Sequence, residues 1–202
     1  MLVIALKLLV ICGLTALLVA AVNAVTKDRI VLNGKIETAK SLSVIYEKDG
    51  LTFDVDENGN YVVRTASGEG RLEKNEPEKQ LDDIDEVYTI FAPDGSTFGY
   101  CVKASPMGFK DEVNLLVAVN PDVSVKAVSV ISHSETSGIG SKAAEPDFLN
   151  KFTGKTAGFS DTDLNAIIIS GATRTSKPVI LAVDRAVVQV NEIIRGKGDD
   201  PQ

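Results

Sequence analysis

The sequence predicts an α+β chain, with one N-terminal transmembrane helix followed by a domain built on a mostly antiparallel sheet and packed helices. Three observations predict it. Residues 8–25 are apolar and carry no charge, a length that suits a single membrane helix of about 20 residues. Between 51 and 131, short apolar runs are separated by turn sequences, with no alternating strand and helix series between them. Towards the C-terminus, Val179, Val183, Ala186, Val187, Val190, Ile193 and Ile194 recur at helical spacing. With 202 residues, 44% of them hydrophobic, the chain supports one domain and an anchor rather than two full cores.

At the N-terminus, residues 1–6 extend the apolar span beyond its single Lys7, so the anchor is expected over 1–25. A cleaved signal peptide is the competing reading, because Ala21 and Ala24 are small. The apolar region of such a peptide, however, typically runs only about 7–15 residues. Lys7 and the amino terminus flank one side, while Lys27, Arg29 and Lys35 flank the other, so flanking charge sets no orientation. Residues 26–48 read as a helical stalk, with Ile30, Ile36, Ala39, Leu42, Val44 and Ile45 spaced among charges. The domain proper is expected over 49–202.

Within it, 51–55 and 61–65 read as strands joined at Glu57-Asn58-Gly59-Asn60. Residues 67–86, rich in Glu, Asp and Lys and containing Pro77, read as a solvated loop or exposed helix. Further strands are expected at 87–92, 100–104, 113–120 and 123–131, with Pro93-Asp94-Gly95 and Pro121-Asp122 as turns. The run 166–169 reads as a short buried strand feeding the C-terminal helix.

Between that run and the helix lie Ser170, Gly171, Ala172, Thr173, Arg174, Thr175 and Ser176. Pro178 in the first turn would remove an N–H that a helix leaves unpaired there; Thr175 or Ser176 would cap the remaining donors, and Gly196 supplies a stop. A loop of hydroxyls opening onto a helix N-terminus favours an anion, phosphate in particular. The same residues also serve as ordinary caps. Arg174 and Lys177 weigh against that reading, because cations beside a first turn oppose the macrodipole unless an anion lies between.

Other classes are disfavoured. Gly138-Ile139-Gly140-Ser141-Lys142-Ala143 fits a dinucleotide pattern, but it lies well beyond the expected strand end at Ile131, and Pro146 follows closely. The net charge of −7 disfavours nucleic acid as a partner. Cys12 lies in the apolar span and Cys101 in an expected strand, so a disulfide between them would require one to leave the membrane. No C-x-x-C pair is present for an iron–sulfur cluster. His133 is the sole histidine, which argues against a multi-histidine metal site; His133 and Glu135 read either as loop hydrogen-bonding groups or as ligand contacts.

The stretch Ser170-Gly171-Ala172-Thr173, with Thr175 two residues on, resembles the flavin-attachment motif of the G subunit of the Rnf electron-transport complex. The C subunit of the sodium-pumping NADH:quinone oxidoreductase shares that motif. His133 to Gly140 is similar to the family's H-x-E-T-P-G-L-G stretch, with Ser137 for Pro and Ile139 for Leu. Ile167 stands where many members have Asp. Gly108-Phe109 resembles the family's glycine-aromatic loop, and 148–155 its F-x-G-K segment. The resemblance implies FMN as cofactor, joined by a phosphoester to Thr173 through a dedicated flavin transferase. It implies a cofactor site drawn from Ser170, Gly171, Ala172, Arg174, Thr175, Ser176, Lys177, His133, Glu135, Thr136, Gly138 and Gly140. It further implies an electron-carrier subunit working beside other membrane and redox subunits of a ferredoxin:NAD+ oxidoreductase, single-pass in the cell membrane with its domain outside the cytoplasm. Alternatives are the equivalent subunit of the quinone-reducing relative, or a sensory or assembly module holding FMN noncovalently.

Overall fold

The computed structural model describes residues 2–159 and 161–198. Helix α1 (Leu2–Ile45) runs unbroken through both the expected anchor and most of the expected stalk. Its side chains up to Val31 are exposed where described, and burial starts near Thr38. It is the one helix among the described residues long and apolar enough to cross a membrane. Seven strands follow: β1 (Thr52–Val55), β2 (Tyr61–Thr65), β3 (Gly68–Asn75), β4 (Ile84–Phe91), β5 (Thr97–Ala104), β6 (Val113–Val119) and β7 (Val125–His133). They pair in chain order as one antiparallel sheet, each strand beside the next. Three helices complete the domain: α2 (Pro146–Leu149), α3 (Asp161–Ile167) and α4 (Thr173–Gly198).

The period of two along the strands divides the apolar side chains between the sheet's faces. On one face Tyr88, Ile90, Cys101, Leu116 and Ala118 pack with Phe53, Val63 and the end of α1, where Ala39, Leu42 and the following Tyr46 are buried. On the other, Val87, Val102, Leu115 and Val117 meet α4 through Val179, Ile180, Val183, Val187 and Val190, with Phe148 and Phe152 beside them. Each fully buried side chain of this size contributes about 1.5–3 kcal/mol of apolar transfer energy. Polar contacts fix the helices in place. Ser43 on α1 accepts the N–H of Phe53 at 2.7 Å. On α4, Gln189 accepts the N–H of Leu81 at 2.8 Å and Asp184 that of Gly158 at 2.7 Å.

Three expectations are corrected. Residues 67–86 are not a loop or helix at either end: β4 already begins at Ile84, and β3 is a sheet strand, paired on both sides. Its charges are accommodated by neighbours. Arg71 lies 4.5 Å from the Phe91 ring centroid. Lys74 and Lys103 reach Glu86 at 3.1 and 2.9 Å. Burial acts to raise the Glu86 carboxyl, yet the two lysines outweigh it and bring it down to about 2. The run 166–169 is not a strand: Ile167 ends α3 and is buried in the α4-side core, while Ile168 and Ile169 pack against it from the connector. A short apolar run has no period long enough to separate the two outcomes. Finally, α4 begins earlier than expected, at Thr173, so Pro178 lies inside the helix and removes the bond back towards the Arg174 carbonyl.

Candidate functional site

The start of α4 is organised by backbone as much as by hydroxyls. Gly171 has φ of 82°, a left-handed conformation that favours glycine and turns the chain into the helix. The Ala172 carbonyl then accepts the N–H groups of Thr175 and Ser176 at 3.1 and 2.9 Å. Ser176 is fully buried; its hydroxyl donates to the Ala172 carbonyl at 3.1 Å and accepts the N–H of Ile169 at 3.2 Å. Neither Thr175 nor Ser176 therefore caps the helix in the expected way. Thr173 and Arg174 are exposed at the tip of the helix. Among the described residues, no acceptor holds their N–H groups.

Glu135 joins three segments of this region. Its Oε1 accepts the N–H groups of Phe109 and Lys110 at 2.8 and 2.9 Å, and its Oε2 accepts the Thr175 hydroxyl at 2.9 Å. The carboxylate lies between Gly108 and Gly140, where a side chain on either glycine would collide with it. Burial acts to raise its pKa, but the Lys110 N–H, the Thr175 hydroxyl and the Phe109 N–H together outweigh burial and hold it below the usual carboxylate value. His133 sits at the end of β7, its Nδ1 accepting the Glu135 N–H at 3.2 Å.

These segments enclose a cleft of about 360 Å³. Of the residues expected to form one site, the cleft brings together Gly171, Ala172, Thr173, Arg174 and Thr175 from the α4 side with Glu135, Thr136 and Gly140 from the loop after β7. Ser170, Ser176, Lys177 and Gly138 lie outside its lining; Ser176 braces the loop from behind. His133 lines a separate shallow depression with Asp111, Glu112 and Asn114. Two further walls come from Phe109 and Ile139, each more than half exposed. The Arg174 guanidinium stands 4.9 Å from the Phe109 ring centroid at the mouth. The signal for Phe109 was the Gly108-Phe109 pair; for Ile139 it was an apolar residue between two glycines in an otherwise polar loop. A larger cleft of about 700 Å³ lies towards the other end of α4, but Glu73, Glu76, Glu78 and Glu192 on its walls disfavour an anion.

The arrangement thus offers an apolar slot, an exposed hydroxyl, an unpaired helix N-terminus and one guanidinium. Residues 108–188 match the family of the FMN-binding domain, and the cofactor this indicates is FMN. The chain is 37% identical over 107 residues to the G subunit of the proton-translocating ferredoxin:NAD(+) oxidoreductase complex of Clostridium ljungdahlii, covering 50% of this chain and 58% of that one. It is 33% identical over 135 residues to the G subunit of the Na(+)-translocating ferredoxin:NAD(+) oxidoreductase complex of Acetobacterium woodii, covering 62% and 61%. The alignments therefore span about three fifths of the length of these curated relatives. A solved structure, the crystal structure of Shewanella oneidensis NqrC, aligns with a TM-score of 0.46 and 24% identity over 63% of this chain and 70% of the other.

Proposed function

We propose that this chain is an electron-carrier subunit of a membrane ion-translocating ferredoxin:NAD+ oxidoreductase complex, holding FMN by a phosphoester on Thr173. The observation that carries the attachment site is the contrast between the motif's threonines: Thr173 is exposed in the cleft, whereas Thr175 is 1% exposed and donates to Glu135. The residues present suit the cofactor. Phe109, Ile139 and Ala172 offer apolar surface for a ring system, while the free N–H groups of Thr173 and Arg174, with the Arg174 guanidinium, offset phosphate charge.

FMN, when bound, supplies one- and two-electron redox chemistry; the protein supplies position, electrostatics and protection from side reactions. Attachment needs an activated donor. Thr173 Oγ would form the ester bond to phosphorus while the bond from that phosphorus to the leaving group of an activated flavin nucleotide breaks, the hydroxyl proton passing to the flavin transferase. In this reading helix α1 is the membrane anchor, the domain lies on the extracytoplasmic side, and the remaining membrane and redox subunits of the complex are its partners.

Peptide mass spectrometry of the native protein tests the assignment: a flavin phosphoester on Thr173 is expected, and the ester on Thr175 with Thr173 unmodified would overturn it. A flavin released by acid precipitation would favour a module that holds FMN noncovalently. For sidedness, protease added to intact cells is expected to remove the domain and leave a membrane fragment, while protection until the membrane is opened would reverse the orientation.

A further inference from the structure

Glu135 was expected among the groups that contact the cofactor, yet both of its carboxylate oxygens are held by the protein itself. It accepts from the loop between β5 and β6 and from the first turn of α4, and belongs itself to the loop after β7. Gly108 and Gly140 form the walls of its slot. Those are the segments that supply Phe109, Ile139 and Thr173 to the cleft.

We propose that Glu135 is the positioning residue of this cleft: its hydrogen bonds hold the apolar wall and the Thr173 hydroxyl in register before the flavin arrives, and they occupy the Thr175 hydroxyl so that only Thr173 is esterified. The inference rests on the reading of Thr173 as the attachment site. It also accounts for the second hydroxyl of the motif, because a hydroxyl donor at 175 is the group that ties α4 to the clasp. Geometry, not charge, carries the role. A glutamine at 135 has the same shape; its carbonyl oxygen accepts the Phe109 and Lys110 N–H groups, and its amide donates to the Thr175 oxygen, which accepts as readily as it donates. An alanine leaves three donors without an acceptor and opens the slot.

The test uses the full chain produced together with the flavin transferase, with loading on residue 173 followed by peptide mass spectrometry and exchange of the Phe109 and Lys110 amides followed in the unflavinylated chain. Glu135→Ala is expected to slow attachment by about 100-fold, the scale of a misplaced reacting group, and to release both amides to rapid exchange. Glu135→Gln is expected to restore attachment and protection. Where Glu135→Ala does not fold, Gly140→Ala decides, because its methyl group displaces the carboxylate without removing it; it is expected to lose attachment and amide protection together. The proposal is overturned by native loading in Glu135→Ala or Gly140→Ala, by Glu135→Gln failing as completely as Glu135→Ala, or by esterification of Thr175 in the native chain. If the native chain carries no flavin ester at all, the reading of Thr173 falls separately, and the clasp stands or falls on whether the two amides are protected in the native chain and released in Glu135→Ala.

Discussion

The two long helices cover opposite faces of one sheet and differ at the ends that meet it. The last turns of α1 finish inside a closed apolar core, with Leu42 fully buried and Tyr46 at 1% exposure. The first turn of α4 stays open, with Thr173 and Arg174 exposed above a cleft. One face serves attachment of the domain to its helix, and the other leaves donors unsatisfied for a ligand. One helix end is thus closed by packing, while the other keeps the open first turn that the proposed attachment uses.

That contrast can be broken most sharply at Thr173. Thr173→Ala is expected to abolish covalent flavin while leaving the thermal unfolding midpoint of the unflavinylated chain unchanged, and Thr173→Ser to retain part of it; in-gel flavin fluorescence and calorimetry read the two effects. On the closed face the expected effect is the converse. Leu42→Ala leaves a cavity in a full core and should lower stability by about 2–5 kcal/mol, read by urea denaturation, with flavin occupancy of the folded fraction unchanged. A loss of occupancy in proportion to stability would mean that the faces are one unit.

A smaller effect belongs to the charged network over β3, β4 and β5. Because the Glu86 carboxyl is brought down to about 2 in the folded chain from an ordinary 4.5, its contribution is fully present above 4.5 and is lost as pH falls through about 2. The stability gap between the native chain and Glu86→Gln, about 1 kcal/mol for partners that remain partly solvated, should therefore be flat above pH 4.5 and close towards pH 2. A gap that widened on acidification would contradict the sign. The smallest expected effect is at the open mouth, where Arg174→Ala removes an exposed cation–π contact of about 0.5–1 kcal/mol. It should scarcely alter the unfolding midpoint, and should weaken phosphate binding measurably in isothermal titration with free FMN.

What the sequence made legible follows from period and length. The long apolar helix, β1, β2 and β4 to β7 carried enough alternation or turn chemistry to be read, and α4 carried a full amphipathic stripe. β3 was hidden because Leu72 is its one large apolar residue; pairing with β2 and β4 decided its conformation against its composition. The meander order was not readable either, since strand neighbours are set by tertiary pairing rather than by period. At the cleft, the hydroxyl-rich loop was legible from residue type, but the separation of Thr173 from Thr175 was not, because it depends on a bond to Glu135 forty positions away. Phe109 could be seen only as a neighbour of glycine. The position of His133 in a depression of its own required the bend of the loop after β7.

One earlier feature, the unbroken α1, makes the domain a lever. No proline interrupts the helix, and no loop separates its apolar half from the turns buried against the sheet. With the apolar half seated in a bilayer as proposed, residues 26–45 extend about 30 Å beyond it at 1.5 Å per residue. A change of anchor tilt by about 20°, the ordinary average for membrane helices, would then carry the sheet sideways by about 10 Å. Such a chain does not carry its cleft on a flexible tether; the reach of the cleft is set by how the helix is held. Helix tilt then becomes a control on where the cleft stands and, under the proposed function, on the distance from its flavin to the next redox centre.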